Sequence, residues 1–132
     1  MKMKKTEASK KRKIYLAGKY GKREQLLEVA NKLSLLGHTV TARWTKGNEV
    51  GQDWVENAIM DYEDVLAADL VLNFTEPYGS QNLGGGRHVE FGIAVAKGIE
   101  CWLVGEREVI FHHLPRVKSF SDINSVLKRL NQ

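Results

Sequence analysis

An α/β three-layer sandwich on a parallel sheet of about five strands is the fold class this 132-residue sequence predicts, and three observations predict it. Short apolar runs of strand length alternate with segments of helical periodicity. The runs Ile14-Tyr15-Leu16-Ala17 and Leu70-Val71-Leu72 have the apolar character of strands covered on both faces. Glycines close runs (Gly18, Gly105) and helices (Gly37, Gly98) where the chain must turn. Strands joined through helices imply right-handed crossovers, a flavodoxin-like or Rossmann-like arrangement. Ligands of such sheets bind outside the carboxyl ends of the strands, where strand order reverses.

Each element has its own signal. Residues 14–18 (IYLAG) read as a buried first strand. Leu26, Leu27, Val29, Ala30, Leu33, Leu35 and Leu36 recur with the spacing of one helix face, and Gly37 stands at the C-cap position. Residues 39–44 (TVTARW), rich in β-branched types, predict a second strand. A polar loop over 45–53 leads into a helical pattern over 54–67, a third strand over 70–74 and a long loop over 75–86. A helix over 88–97, a strand over 101–104, an irregular stretch through Pro115 and a short strand over 116–120 follow. Ser121 or Asp122 caps a last helix carrying Ile123, Val126, Leu127 and Leu130.

Composition narrows the function classes. With 42% hydrophobic and 27% charged residues the chain is an ordinary globular domain. The net charge of +4 is a local effect. Residues 1–13 hold seven of the 20 basic residues and one of the 16 acidic ones, so residues 14–132 carry a net −2. The expected organisation is a disordered basic tail, 1–13, and one domain, 14–132. Specific nucleic-acid recognition by the folded part is disfavoured; an interaction role for the tail ranks low. The single cysteine, Cys101, in the run Cys101-Trp102-Leu103-Val104, reads as a buried thiol in a reducing, cytoplasmic setting. No apolar run reaches the roughly 18 residues of a membrane span, and no signal-peptide segment opens the chain.

Familiar chemistries fail on spacing. Gly18-Lys19-Tyr20-Gly21-Lys22-Arg23 is neither a Walker A loop nor a G-x-G-x-x-G fingerprint, though a phosphate could meet the backbone after Gly18. The acidic residues of a phosphoryl-accepting receiver site are absent after strands one and three. His112-His113 are adjacent and point apart, no C-x-x-C or H-E-x-x-H exists, and neither a metal nor a cofactor is expected. No G-x-S-x-G elbow supports a serine nucleophile. What remains is the stretch 82–94 (NLGGGRHVEFGIA). Gly84, Gly85 and Gly86 allow close approach of backbone to a ligand. The following helix places Glu90 in its first turn, where the dipole holds a carboxylate ionised; half of a capping box is the competing reading. Gly92, inside a helix, implies close packing nearby.

These residues resemble a known family. Ile14-Tyr15-Leu16-Ala17-Gly18, Asp61 eight residues before Asp69, and Gly86-Arg87-His88-Val89-Glu90-Phe91-Gly92-Ile93-Ala94 are similar to the nucleoside 2-deoxyribosyltransferase family, which includes the 2′-deoxynucleoside 5′-monophosphate N-glycosidases. The resemblance spans about residues 14–130. It implies a flavodoxin-like fold, a homo-oligomer (dimer or higher) whose sites borrow residues from a neighbour, and cleavage of the bond between base and deoxyribose. By the same resemblance Glu90 is the nucleophile, Asp61 protonates the leaving base and Tyr15 holds the nucleophile. Gly84 stands where members often carry an acidic or hydroxyl residue that contacts base or phosphate, and Arg87 and His88 are unusual beside the nucleophile.

A 2-deoxy sugar lacks the electron-withdrawing 2-hydroxyl, so one carboxylate can trap its oxocarbenium-like transition state as a glycosyl-enzyme. Asp61 carries a condition. An unbroken helix from Gln52 to Ala67 would leave it near mid-height of the sheet, so the role requires a fresh helix beginning near Asp61. Lys19, Arg23 and Arg87 are candidates to clamp a 5′-phosphate. Arg43 and Trp44 either bracket a base or, for Trp44, cover a helix; His112 and His113 lie near expected subunit contacts. The expected reaction is transfer of the 2-deoxyribosyl group of a nucleoside to a free nucleobase. The alternatives are hydrolysis of 2′-deoxynucleoside 5′-monophosphates and a nonenzymatic nucleotide sensor on the same fold.

Overall fold

The computed structural model describes residues 10–47, 53–80 and 85–132. The strands are β1 (Lys13–Ala17), β2 (Thr39–Val40), β3 (Leu70–Phe74), β4 (Glu100–Val104) and β5 (Lys118–Phe120). The helices are α1 (Arg23–Leu35), α2 (Trp54–Leu66), α3 (Gly86–Ala96) and α4 (Ile123–Leu130). All pairings are parallel and the order is β2-β1-β3-β4-β5, the flavodoxin-like arrangement the periodicity predicts. Order reverses between β1 and β3, so the crevice above these two strands is the place for a ligand.

Register decides which side chains meet. Tyr15 pairs with Val71 and Ala17 with Asn73, so these four face one side of the sheet, under α3, while Leu16 and Leu72 face the other. Every residue of β3 is buried, as are Ile14 to Ala17 of β1. Gly18 belongs to this packing: a Cβ there would lie 3.0 Å from Leu26 Cδ1 of α1. Gly105 closes β4 at φ +121°, where a Cβ would stand 2.5 Å from Thr75 Oγ1.

Beside shifts of one or two residues at the starts of β4 and β5, three boundaries differ from the sequence reading in ways that bear on the site. The fold begins before residue 14. β1 opens at Lys13, and Arg12 pairs with Asp69 at 2.8 Å and Glu100 at 2.9 Å, tying β1, β3 and β4 together at their amino ends. The second strand stops at Val40, and residues 43–46 form a 3-10 turn. Asp64 of α2 is the reason: its carboxylate accepts from the Arg43 backbone N–H at 3.0 Å and pairs with Arg43 Nη2 at 2.8 Å, which curls the chain away from the sheet. The last difference is α3, which starts at Gly86 rather than 88. The last helix is capped by Asp122, whose side chain accepts from Ser125 N.

Asp64 is 6% exposed and serves both the turn and α2. Asp64→Ala should destabilise the protein by about 2 kcal/mol, the scale of a hydrogen bond to a charged group, read as a lowered urea midpoint with an unchanged slope.

Candidate active site

The hydroxyl of Tyr15 donates to Glu90 Oε2 at 2.7 Å, joining the third residue of β1 to the fifth of α3. Tyr15 is fully buried. Its hydroxyl pKa is driven far above the ordinary value, first by burial and then by the charges of Glu90, Asp61 and Asp64. Tyr15 therefore stays protonated and remains a donor, which fixes one oxygen of Glu90 and leaves the carboxylate half-buried under the crevice. Because α3 begins at Gly86, Glu90 lies beyond the first turn. The helix-dipole argument and the capping-box alternative both lapse, since each is confined to that turn. What holds Glu90 is tyrosine.

Asp61 required a fresh helix, and there is none: α2 runs unbroken through it. Asp61 thus sits at mid-height, six residues or roughly 9 Å above Ala67. The assumption that fails is the height of the reacting groups. Tyr15 is itself only two residues, roughly 7 Å, above Lys13, so Asp61 is level with the Tyr15–Glu90 pair and its charge acts on the Tyr15 hydroxyl. Trp54, seven residues earlier and within about 20° of Asp61 around the helix, is 79% exposed at the crevice mouth. The sequence reading missed it because periodicity alone assigns no direction to a terminal residue.

The other candidates scatter. Trp44 is 5% exposed and its indole N–H donates to Leu16 O at 2.9 Å, the core alternative rather than a base contact. Arg43 is engaged by Asp64. Arg23 donates to Thr45 O and lies 6.0 Å from the Tyr20 ring centroid. Lys19 follows Gly18 at the β1 end, and Lys22, beside it, pairs with Glu76 at 2.5 Å. Arg87 is 5% exposed and bound to Glu108 Oε2 at 2.5 Å, so its charge is spent inside the protein. A Cβ at Gly85, Gly86 or Gly92 would meet nothing within 4 Å, so packing inside the chain explains none of these glycines. Gly84 lies outside the described residues. Among the described residues no group of three or more His, Cys, Asp and Glu side chains could hold a metal, and no helix is long and apolar enough to cross a membrane.

Behind α3 lies a polar cluster that the sequence did not announce. His112 is fully buried, away from any subunit surface, while His113 is exposed. Its Nδ1 accepts from the backbone N–H of Glu108 at 2.9 Å, its ring packs edge-on against Phe91 of α3 at 4.8 Å, and its Nε2 lies 3.3 Å from the Asn73 amide. Burial, then the nearby His88, lowers its pKa to about 4. Glu108 is held below the usual carboxylate range by Arg87, against the opposing effect of its own burial.

A histidine with a lowered folded-state pKa binds fewer protons folded than unfolded, so its contribution is lost as pH falls from about 6.5 to about 4. Wild-type stability should drop across that window by on the order of 3 kcal/mol from this residue. His112→Gln should flatten the slope of unfolding free energy against pH, followed by urea titrations between pH 7 and 4.5. His38 and His88, also lowered, leave a residual slope of the same sign.

No family model and no curated relative matches the chain by sequence. Solved structures do. The 2-deoxyribosyltransferase of the psychrotolerant bacterium Bacillus psychrosaccharolyticus superposes with a TM-score of 0.61 at 26% identity, over 86% of this chain and 89% of that one. The CMP N-glycosidase BcmB of Clostridium botulinum gives a TM-score of 0.60 at 20% identity, over 90% and 98%, and shares the fold. The likeness in fold covers most of the chain, in agreement with the resemblance that the motifs of β1, α2 and α3 carry.

Proposed function

We propose that the protein is an enzyme that cleaves the N-glycosidic bond of 2′-deoxynucleosides and transfers the 2-deoxyribosyl group to another nucleobase. The observation that carries this reading is the buried hydrogen bond from Tyr15 to Glu90 at the strand-order reversal. The likeness to a 2-deoxyribosyltransferase at 26% identity supports it. A Glu90 oxygen attacks C1′ as the bond from C1′ to the base nitrogen breaks; the electron pair leaves with the base, which takes a proton from Asp61, a step that requires Asp61 to enter the reaction as the carboxylic acid. The incoming base then attacks C1′, expels the Glu90 carboxylate and returns the proton to Asp61. Two displacements retain configuration. Trp54, at the mouth above Asp61, offers a ring face to a base.

A neutral nucleoside is preferred here to a 5′-monophosphate because Arg87, the phosphate candidate next to Glu90, is paired with Glu108 within the chain. Deoxynucleosides and their 5′-monophosphates are incubated with and without a second free base and separated by chromatography. Wild type should release or exchange base, and Glu90→Ala should lose at least 1000-fold in rate, the scale of a removed nucleophile. Tyr15→Phe should lose about 10- to 100-fold. Release that requires a 5′-phosphate, with water as acceptor, would replace transfer by monophosphate hydrolysis. A nucleotide bound intact after long incubation would instead identify a sensor.

The partner in this reading is a second copy of the chain. Val55, Ile59, Tyr62 and Leu66 recur at helical spacing on the flank of α2 turned away from Asp64, each 39–70% exposed, and Val89 of the adjoining α3 is 62% exposed. Five large apolar side chains on packed helices approach the largest patch a monomer tolerates, several hundred Å², and seed an interface of about 800 Å² per partner. Gly92, one turn after Val89, leaves α3 open to a close neighbour. Sedimentation should show a dimer or larger assembly, and Ile59→Asp with Val89→Asp should yield a folded monomer. A monomeric wild type at micromolar concentration would remove this partner.

A further inference from the structure

We propose that Asn73 binds the sugar of the substrate, its amide N–H donating to a sugar hydroxyl oxygen and its orientation fixed by His112; this deepens the glycosyl reading above and rests on it. Asn73 is the fourth residue of β3 and is fully buried, between Leu72 and Phe74 in an otherwise apolar strand. An amide there needs partners on both ends. One end has His112. Because Nδ1 of that ring accepts from two backbone N–H groups, those of Glu108 and Val109, it carries no hydrogen, and the ring proton is on Nε2. Nε2 faces the Asn73 amide at 3.3 Å. The structure places the amide nitrogen Nδ2 against Nε2; a donor must meet an acceptor, so the two amide ends are exchanged, with the oxygen toward His112 and the NH2 group turned away.

The far atom of the amide, placed as Oδ1 and an NH2 group once the ends are exchanged, has no hydrogen-bond partner among the described residues, although it is closed off from solvent. Burying an amide group without a partner costs stability, and the fold keeps His112 fully buried to hold that group in one orientation. Its location gives it a use. Asn73 pairs with Ala17 and faces the same side of the sheet as Tyr15. It lies one strand over and two residues, roughly 7 Å, nearer the carboxyl edge. A sugar with C1′ against Glu90 extends from that point along the sheet, and its hydroxyls fall within reach of a donor on β3. Arg87, the nearest cation in sequence to Glu90, is bound to Glu108 and does not serve the sugar.

The test couples a protein deletion to a substrate deletion. Steady-state kcat/KM is measured for 2′-deoxyadenosine and 2′-deoxycytidine and for their analogues lacking the 3′- or the 5′-hydroxyl, with wild type and Asn73→Ala. Wild type should lose about tenfold on the analogue missing the contacted hydroxyl, and Asn73→Ala about tenfold on the parent nucleoside with no further loss on that analogue. If Asn73→Ala does not fold, Asn73→Ser, which keeps an acceptor for His112 Nε2, takes its place with the same expectation. Equal analogue penalties in wild type and variant overturn the proposal and leave the glycosyl reading standing. A wild type that turns over neither nucleoside while cleaving the 5′-monophosphates moves the same comparison to those substrates. One that cleaves none overturns both.

Discussion

A tyrosine hydroxyl sealed from solvent must find an acceptor inside the protein, and that constraint organises this molecule. Tyr15 is fully buried in β1, the strand beside the central β3 at the order reversal, and its acceptor is Glu90. The bond sets the rotation of α3 about its axis, because Glu90 must face inward while Phe91 and Ala94 pack on the sheet. It also sets the depth of the reacting carboxylate. Had Glu90 been held by the helix amino terminus, it would sit at the crevice rim; held by Tyr15, it sits mid-strand, level with Asp61.

The amino-terminal half of α3 is fixed from behind by a second set of polar contacts. Arg87 is bound to Glu108, whose other oxygen accepts from the Glu76 backbone N–H at 3.2 Å, while His112 packs on Phe91. Removing Glu108 would strand a buried guanidinium, so the pair acts as a clamp between α3 and the loop after β4. The same pairing has a consequence for recognition. Of the cations that the sequence offers to a phosphate, Lys19, Arg23 and Arg87, the fold commits Arg87 to Glu108, while Arg23 donates to the Thr45 carbonyl.

The fold was legible because it follows from local patterns. Apolar runs at strand length, helical spacing from Leu26 to Leu36 and glycines at the turns give all five strands and all four helices, in order. Glu90 and Tyr15 were legible through resemblance, and their meeting in space agrees with it. Arg43, Trp44 and Arg87 have partners inside the fold that no local pattern names. A charged or aromatic residue near a strand end looks available in sequence, and only the fold reveals that Asp64, Leu16 O and Glu108 have already taken it. The early end of β2 escaped detection because Thr41 and Ala42 have ordinary strand propensity, and the side chain that diverts the chain, Asp64, lies more than 20 residues away. Asn73 and His112 escaped for the opposite reason: each looks unremarkable alone, and 39 residues separate them.

Depth also decides what a glycosyl-enzyme could do next. An ester of Glu90 with C1′ passes to whichever acceptor reaches the carbon first, water or a base. Water needs no shaped route, whereas a base needs a flat space opening onto C1′ from the side opposite Glu90. Burial of Tyr15, Asn73 and the faces of β1 and β3 closes the floor, and the half-buried Glu90 is approached from the carboxyl edge alone. The amino end of α2 flanks that approach, and its exposed Trp54 is an indole of the kind that stacks on a planar base. The residues that stabilise the core and the residues that bias the acceptor are therefore neighbours on the same strands and helices. Under the proposed reaction, partition between transfer and hydrolysis is a property of the walls around Glu90 rather than of Glu90 itself.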